Sequence, residues 1–145
     1  SDSYFSLATV PLTLKSNANK FKDWDDLNKA DVRVAATLGT TQEKQVKEYF
    51  PNAEHVIIEP PAVPFQQVLS GRADAHITSN VEANKLVAIH SDLMIVPVSA
   101  PKSPTPIAIL LPQADQVWIN YVNTWIKLKT ERGFFEKLDA KWKLN

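Results

Sequence analysis

Strand-like and helix-like segments alternate at short intervals over most of this chain, and no other feature of its 145 residues limits the fold as much. Residues 7–15 are rich in β-branched and apolar side chains and end in Ser16-Asn17-Ala18-Asn19, a strand followed by a turn. Asp23 stands where it caps a short helix over 24–28, and residues 32–38, bounded by Asp31 and Gly39, read as a buried strand. Thr40 or Thr41 then caps a helix over 42–49 that Pro51-Asn52 ends. The order repeats with a strand at 54–58, a helix at 65–69 stopped by Ser70-Gly71, a strand at 75–78, a helix at 81–89 and a strand at 93–98. Short loops between such elements imply βαβ units, hence a three-layer α/β/α lobe around a mostly parallel sheet. The prolines at 97, 101, 104 and 106 predict a stiff extended connection, followed by an apolar strand at 107–111. A helical region then runs from Asp115 through Lys143 with a break at Gly133. Its Val117, Tyr121, Val122, Trp125 and Leu128 share one face, which needs cover.

In open α/β sheets ligands bind outside the carboxyl ends of the strands, which points to residues 38–42 and 78–82. In Gly39-Thr40-Thr41-Gln42-Glu43 a strand runs into a Thr-capped helix, so unpaired backbone N–H groups and the positive end of the helix dipole face whatever lies above the sheet. An anion is the natural guest of Thr40, Thr41 and Gln42, although a hydroxyl cap also serves its own helix. Ser79 and Asn80 follow the strand at 75–78; each both donates and accepts, which suits an uncharged polar part of a ligand as well as a turn.

Composition narrows the remaining choices. Lys+Arg and Asp+Glu both number 16, which leaves no electrostatic footprint for nucleic acid or an anionic membrane surface. With 3 Gly there is no phosphate-cradling loop, and no cofactor is expected. The absence of Cys excludes disulfides and thiolate chemistry and is compatible with an oxidising compartment. No apolar run approaches the ~20 residues of a spanning helix. The polar opening from Ser1 lacks the features of a signal peptide, so any targeting segment is expected to have been removed. His55, His76 and His90 lack paired ligand spacing, so no metal site is expected, and His76 reads as a satisfied core or rim residue.

The two stretches at the strand ends, taken together, resemble the type II periplasmic solute-binding proteins of the amino-acid-binding kind. The resemblance continues through Leu69-Ser70-Gly71-Arg72-Ala73-Asp74-Ala75, the strand at 107–111 and Gly133-Phe134-Phe135-Glu136-Lys137-Leu138-Asp139-Ala140-Lys141-Trp142, and it covers nearly everything from Val10 onward. It implies that Thr41, with the helix N-terminus, binds the ligand carboxylate. A narrower resemblance, to the cyclohexadienyl dehydratases and their binding-protein relatives, rests on Val10-Pro11-Leu12-Thr13-Leu14-Lys15, the Phe21 to Leu27 spacing, Thr78-Ser79-Asn80-Val81-Glu82-Ala83 and Ile89-His90-Ser91-Asp92-Leu93. In that branch the position of Glu82 carries an acid suited to proton transfer.

This resemblance implies a type II fold in which residues 1–15 are a hinge strand and remnant of lobe 1, 16–104 the ligand-binding lobe 2, and 105–145 a return hinge strand with C-terminal helices that belong to lobe 1. Two departures stand out. Ser79 occupies the place of an Asp that pairs with the ligand ammonium, which makes an α-amino acid a doubtful ligand. The first-lobe segment, with the family's carboxylate-clamping Arg, is missing, so the C-terminal helices are expected to be covered by that lobe or by a second copy. The expected function is that of a periplasmic or otherwise extracytoplasmic solute-binding protein of a transporter, delivering a small anionic or amino-acid-like molecule to a membrane permease. Its expected ligand-binding residues are Thr40, Thr41, Gln42, Ser79, Asn80 and Glu82. The alternative is a periplasmic carbon–oxygen lyase acting on prephenate or arogenate through Glu82; a second is the sensing lobe of a receptor.

Overall fold

The computed structural model describes residues 1–144. A long strand, β1 (Ser3–Leu14), runs antiparallel to β4 (Ala75–Ser79), β5 (Leu93–Ile95) and β6 (Lys102–Ala108). On the other side β2 (Arg33–Thr37) lies parallel between β3 (Glu54–Ile58) and β4. The order is β3-β2-β4-β1-β5, with β6 paired to residues 3–9 of β1 and β5 to residues 12–14, so five strands share one direction and β1 opposes them. Three crossovers account for that shared direction: α1 (Thr41–Tyr49) joins β2 to β3, α2 (Pro64–Leu69) joins β3 to β4, and α3 (Asn80–Ile89) joins β4 to β5.

Strand alternation divides the core in two. Val34, Ala36, Ala75 and Ile77 face one side, where Val46 and Phe50 of α1 and Phe21, Trp24 and Leu27 cover them. Ala35, Val10 and Leu12 face the other, under Val68 of α2, Ala83 and Leu86 of α3, and Leu93. The three layers expected from the sequence are thus present. Each fully buried side chain of the size of Phe21 or Phe50 contributes about 2–3 kcal/mol from removal of apolar area. A further tie joins β2 to the start of β4: Asp74 Oδ2 accepts from the Arg33 backbone N–H at 2.8 Å and from its guanidinium at 3.2 Å.

The C-terminal third departs most from expectation. The strand predicted at 107–111 starts instead at Lys102, runs through Pro104 and Pro106 of the predicted stiff connection, and ends at Ala108, so residues 109–111 lie outside it. Pairing with β1 alone makes β6 an edge strand, and an edge tolerates residues without a backbone N–H. β1 likewise begins at Ser3, because its polar first residues gain β6 as a partner. α4 (Gln116–Glu131) and α5 (Phe134–Trp142) meet at Gly133, whose φ of 67° breaks the helix. The predicted apolar stripe of α4 is split. Val122 and Ile126 are buried, Trp125 packs on Phe134 and Phe135 at 6.0 Å, and Val117, Tyr121 and Leu128 are exposed.

Candidate functional site

β2 ends at Thr37, Gly39 turns the chain at φ 76°, and Thr40 sits in extended backbone as the cap of α1. The Thr40 hydroxyl donates to the Thr37 carbonyl at 2.7 Å and accepts from the Glu43 N–H at 3.4 Å. It therefore serves its own helix. Glu43 turns back to accept from the Gly39 N–H at 2.7 Å and pairs with Lys47 at 2.6 Å; first the Lys47 ammonium and then the Gly39 N–H hold its carboxyl below the usual range. The N–H groups of Thr41 and Gln42, first in the helix, remain directed out of its end.

β4 ends at Ser79, which caps α3: its Oγ accepts from the Glu82 N–H at 3.2 Å and keeps a proton to donate. Thr41, Gln42 and Ser79 are brought together on a pocket of about 190 Å³, as expected for residues at one edge of a sheet. Its floor is residues 7–9 of β1, Gln45 of α1 closes one side, and Ser103 and Thr105 of β6 form the opposite wall. No lining side chain is charged. Buried Gln45 accepts from the Thr9 hydroxyl at 2.8 Å, which ties α1 to the floor. Larger hollows, of about 370 Å³, 650 Å³ and 260 Å³, lie between the start of β1 and α4, between α3 and α5, and between β1, β6 and α5; none includes a residue at the carboxyl end of β2 or β4.

The other expected residues lie elsewhere. Asn80 grips β1, accepting from the Ala8 N–H at 3.1 Å and donating to the Ser6 carbonyl at 3.3 Å, where the β1–β6 register shifts. Exposed Glu82 accepts from the hydroxyl of buried Thr78 and is not part of the pocket wall. On the same face of β4, His76 is buried with no partner for its Nδ1 among the described residues, which corrects the expectation of a satisfied imidazole. Burial pushes its pKa down to about 4, against the pull of the Glu82 carboxylate in the other direction.

Sequence reasoning missed Thr9, Gln45, Ser103 and Thr105. Gln45 follows Thr41 by four positions, so helical spacing alone places both on one face. Ser103 and Thr105 had no such signal, because the strand that carries them was read as a connection.

No protein-family model matches the chain. An ancestral cationic amino acid solute-binding protein has the same fold at a TM-score of 0.84 and is 36% identical, over 99% of this chain and 61% of that one. An ancestral cyclohexadienyl dehydratase is 39% identical at a TM-score of 0.65, over 98% of this chain and 59% of that one. The cyclohexadienyl dehydratase of Pseudomonas aeruginosa is 27% identical over 96% of this chain, which spans 53% of that protein. By fold, sequence and the order of its motifs, the chain is similar to the type II periplasmic solute-binding proteins, near the branch that joins amino-acid-binding proteins to the cyclohexadienyl dehydratases, and it spans between about half and three fifths of the length of these relatives.

Proposed function

We propose that this chain is the ligand-binding lobe, with return strand and C-terminal helices, of an extracytoplasmic solute-binding protein that delivers a small carboxylate to a membrane permease. Residues 16–104 are that lobe, and α4 and α5 pack with a first lobe of the kind that the longer relatives have room for. The observation that carries this reading is the convergence of Thr41, Gln42 and Ser79 on one uncharged pocket at the end of α1. The free N–H groups and dipole of α1 receive the carboxylate, and the Thr41 hydroxyl adds a donor. Ser79 meets a neutral group.

Calorimetry with simple carboxylates, and with lysine and arginine as cationic amino acids, tests the proposal. Thr41→Ala should weaken carboxylate binding by about 1–3 kcal/mol, the cost of removing a donor from a charged acceptor. Undiminished affinity in that variant refutes the anion site, and tight binding of either amino acid refutes the role given to Ser79.

A second reading is favoured by Glu82, an acid in the first turn of α3 one turn beyond Ser79, together with the similarity to cyclohexadienyl dehydratases. There Glu82 gives a proton to the departing hydroxyl of prephenate or arogenate, and water and carbon dioxide leave as the ring becomes aromatic. Incubation with either compound should yield no phenylpyruvate or phenylalanine if the protein only binds. Product formation that Glu82→Gln abolishes, with ligand affinity nearly unchanged, establishes the dehydratase instead.

A further inference from the structure

The far wall of the pocket comes from a strand with an irregularity. Lys102 and Thr105 of β6 lie opposite Thr9 and Leu7 of β1, so three steps on one strand match two on the other and β6 carries a bulge. Ser103 in that bulge has a φ of 48°, a left-handed conformation that residues with a Cβ usually avoid. Four contacts hold the segment around it. The Trp24 indole donates to the Ala100 carbonyl at 2.8 Å, and the Lys102 ammonium stands 4.8 Å from the ring centre of Tyr49 and 5.4 Å from that of Trp24. The Tyr49 hydroxyl is hydrogen-bonded to the Ser103 hydroxyl. Bulges and disfavoured backbone at the edge of a site often serve to aim a side chain.

We propose that Ser103 and Thr105 are specificity-determining hydroxyls of this pocket, that Tyr49 positions Ser103, and that with Ser79 they select a carboxylate bearing a hydroxyl or carbonyl over one bearing an ammonium. The inference rests on the reading of α1 as the carboxylate site. A proton given by Tyr49 to Ser103 leaves the Ser103 proton for a ligand oxygen. Thr105 spends its own proton on the Ser103 carbonyl at 3.2 Å and keeps lone pairs to accept from a ligand hydroxyl. An ammonium in the same place meets no carboxylate in the lining and loses hydration without an ionic partner.

Malate, succinate and aspartate are four-carbon dicarboxylates that differ at C2 in carrying a hydroxyl, a hydrogen or an ammonium, and calorimetric titration of the protein with each is the test. Malate should bind tighter than succinate by roughly threefold to tenfold, the worth of one or two neutral hydrogen bonds, and aspartate should bind weakest. Ser103→Gly removes the hydroxyl while relieving the left-handed backbone, and Tyr49→Phe keeps the ring beneath Lys102. Both should melt no lower than wild type by more than a few degrees. Each should narrow the preference for malate by weakening malate more than succinate, with Thr105 and Ser79 sustaining what remains of it. The inference is overturned if wild type binds malate no tighter than succinate, if aspartate binds best, if none of the three binds, or if either variant keeps the full wild-type preference. Thr41→Ala is read separately: it should weaken malate and succinate alike, and its failure counts against the carboxylate site rather than against Ser103.

Discussion

The buried His76 makes the protein's stability depend on mild acid in a way that can be separated from its carboxylates. Its imidazole lies on the α3 face of β4, opposite Leu12 of β1, with Thr78 two residues on and Glu82 as the acidic group acting on it. Burial lowers the folded-state pKa from 6.5 to about 4, so between those values the unfolded chain binds a proton that the folded chain refuses. Stability therefore rises with pH across that window and is lost as pH falls through it. Between pH 7.5 and 4.5 the loss amounts to about 2–3 kcal/mol, or a fall in melting temperature of about 6–10 °C for a domain of this size. Asp23, Asp26 and Glu43 also have lowered pKa values, but their contributions are lost below the ordinary carboxylate range, outside most of this window. Replacing His76 by Leu removes the titrating group and the unpartnered Nδ1 together. Denaturant titrations at half-unit pH steps should show a steep decline for wild type above pH 4.5 and a nearly flat profile for His76→Leu, which at pH 7.5 should be no less stable. Equal slopes in the two proteins refute the argument.

Two further outcomes follow from contacts outside the pocket. Asn80→Ala frees the Ala8 N–H and the Ser6 carbonyl at the shifted register of β1, and should destabilise the fold by about 1–2 kcal/mol in urea titrations while Asn80→Asp, which keeps the acceptor, loses less; equal effects refute the role given to the side-chain amide. Exposure of Val117 at 82%, Tyr121 at 61% and Trp142 at 64% leaves an apolar surface that should make the isolated 145-residue chain self-associate, so light scattering should find more than one chain per particle and Tyr121→Asp should reduce it; a wild-type species at 16.2 kDa refutes this.

The layered lobe was legible because each of its elements carries a local signal. Short apolar runs in Arg33–Thr37 and Glu54–Ile58, capping at Thr40, the polar turn at Ser79 and Asn80, and the glycine turns at Gly39 and Gly71 mark elements without reference to the rest of the chain. The same signals placed Thr41, Gln42 and Ser79 at strand ends. What local signals could not reveal is pairing. Whether Pro104 and Pro106 interrupt a strand depends on which edge of it is free, and that is decided by Ser3–Leu14 almost a hundred residues earlier. The burial of Val122 and Ile126 on α4 had no local signal either: Asp2 donates its backbone N–H to Asn123 at 2.7 Å from the far end of the sequence, while Val117 and Tyr121 of the predicted face stay exposed. Asn80 illustrates a third limit, since a polar residue at a strand end serves a ligand or the backbone according to what lies across from it.

The uncharged lining also bears on how binding and catalysis can share one scaffold. A pocket that receives an anion through N–H dipoles and hydroxyls rather than a fixed cation has little charge of its own to desolvate, so it can stand open to water without a buried charge to satisfy. Under the proposed function, closure of a first lobe over it would strengthen each of those dipoles by excluding water, and ligand binding and closure would become one event. Proton transfer asks for more. Glu82, the acid nearest the strand end, gives its carboxylate to the Thr78 hydroxyl on the other side of Ser79, so to act on a ligand it must leave Thr78 and turn toward the pocket. A binding protein has no use for that turn. Thr78→Val, which removes the hydroxyl that holds Glu82 back, is therefore expected to leave carboxylate affinity within about twofold, and to raise turnover of prephenate or arogenate in a protein that has any. Lower turnover in that variant shows instead that Thr78 holds Glu82 in its working position.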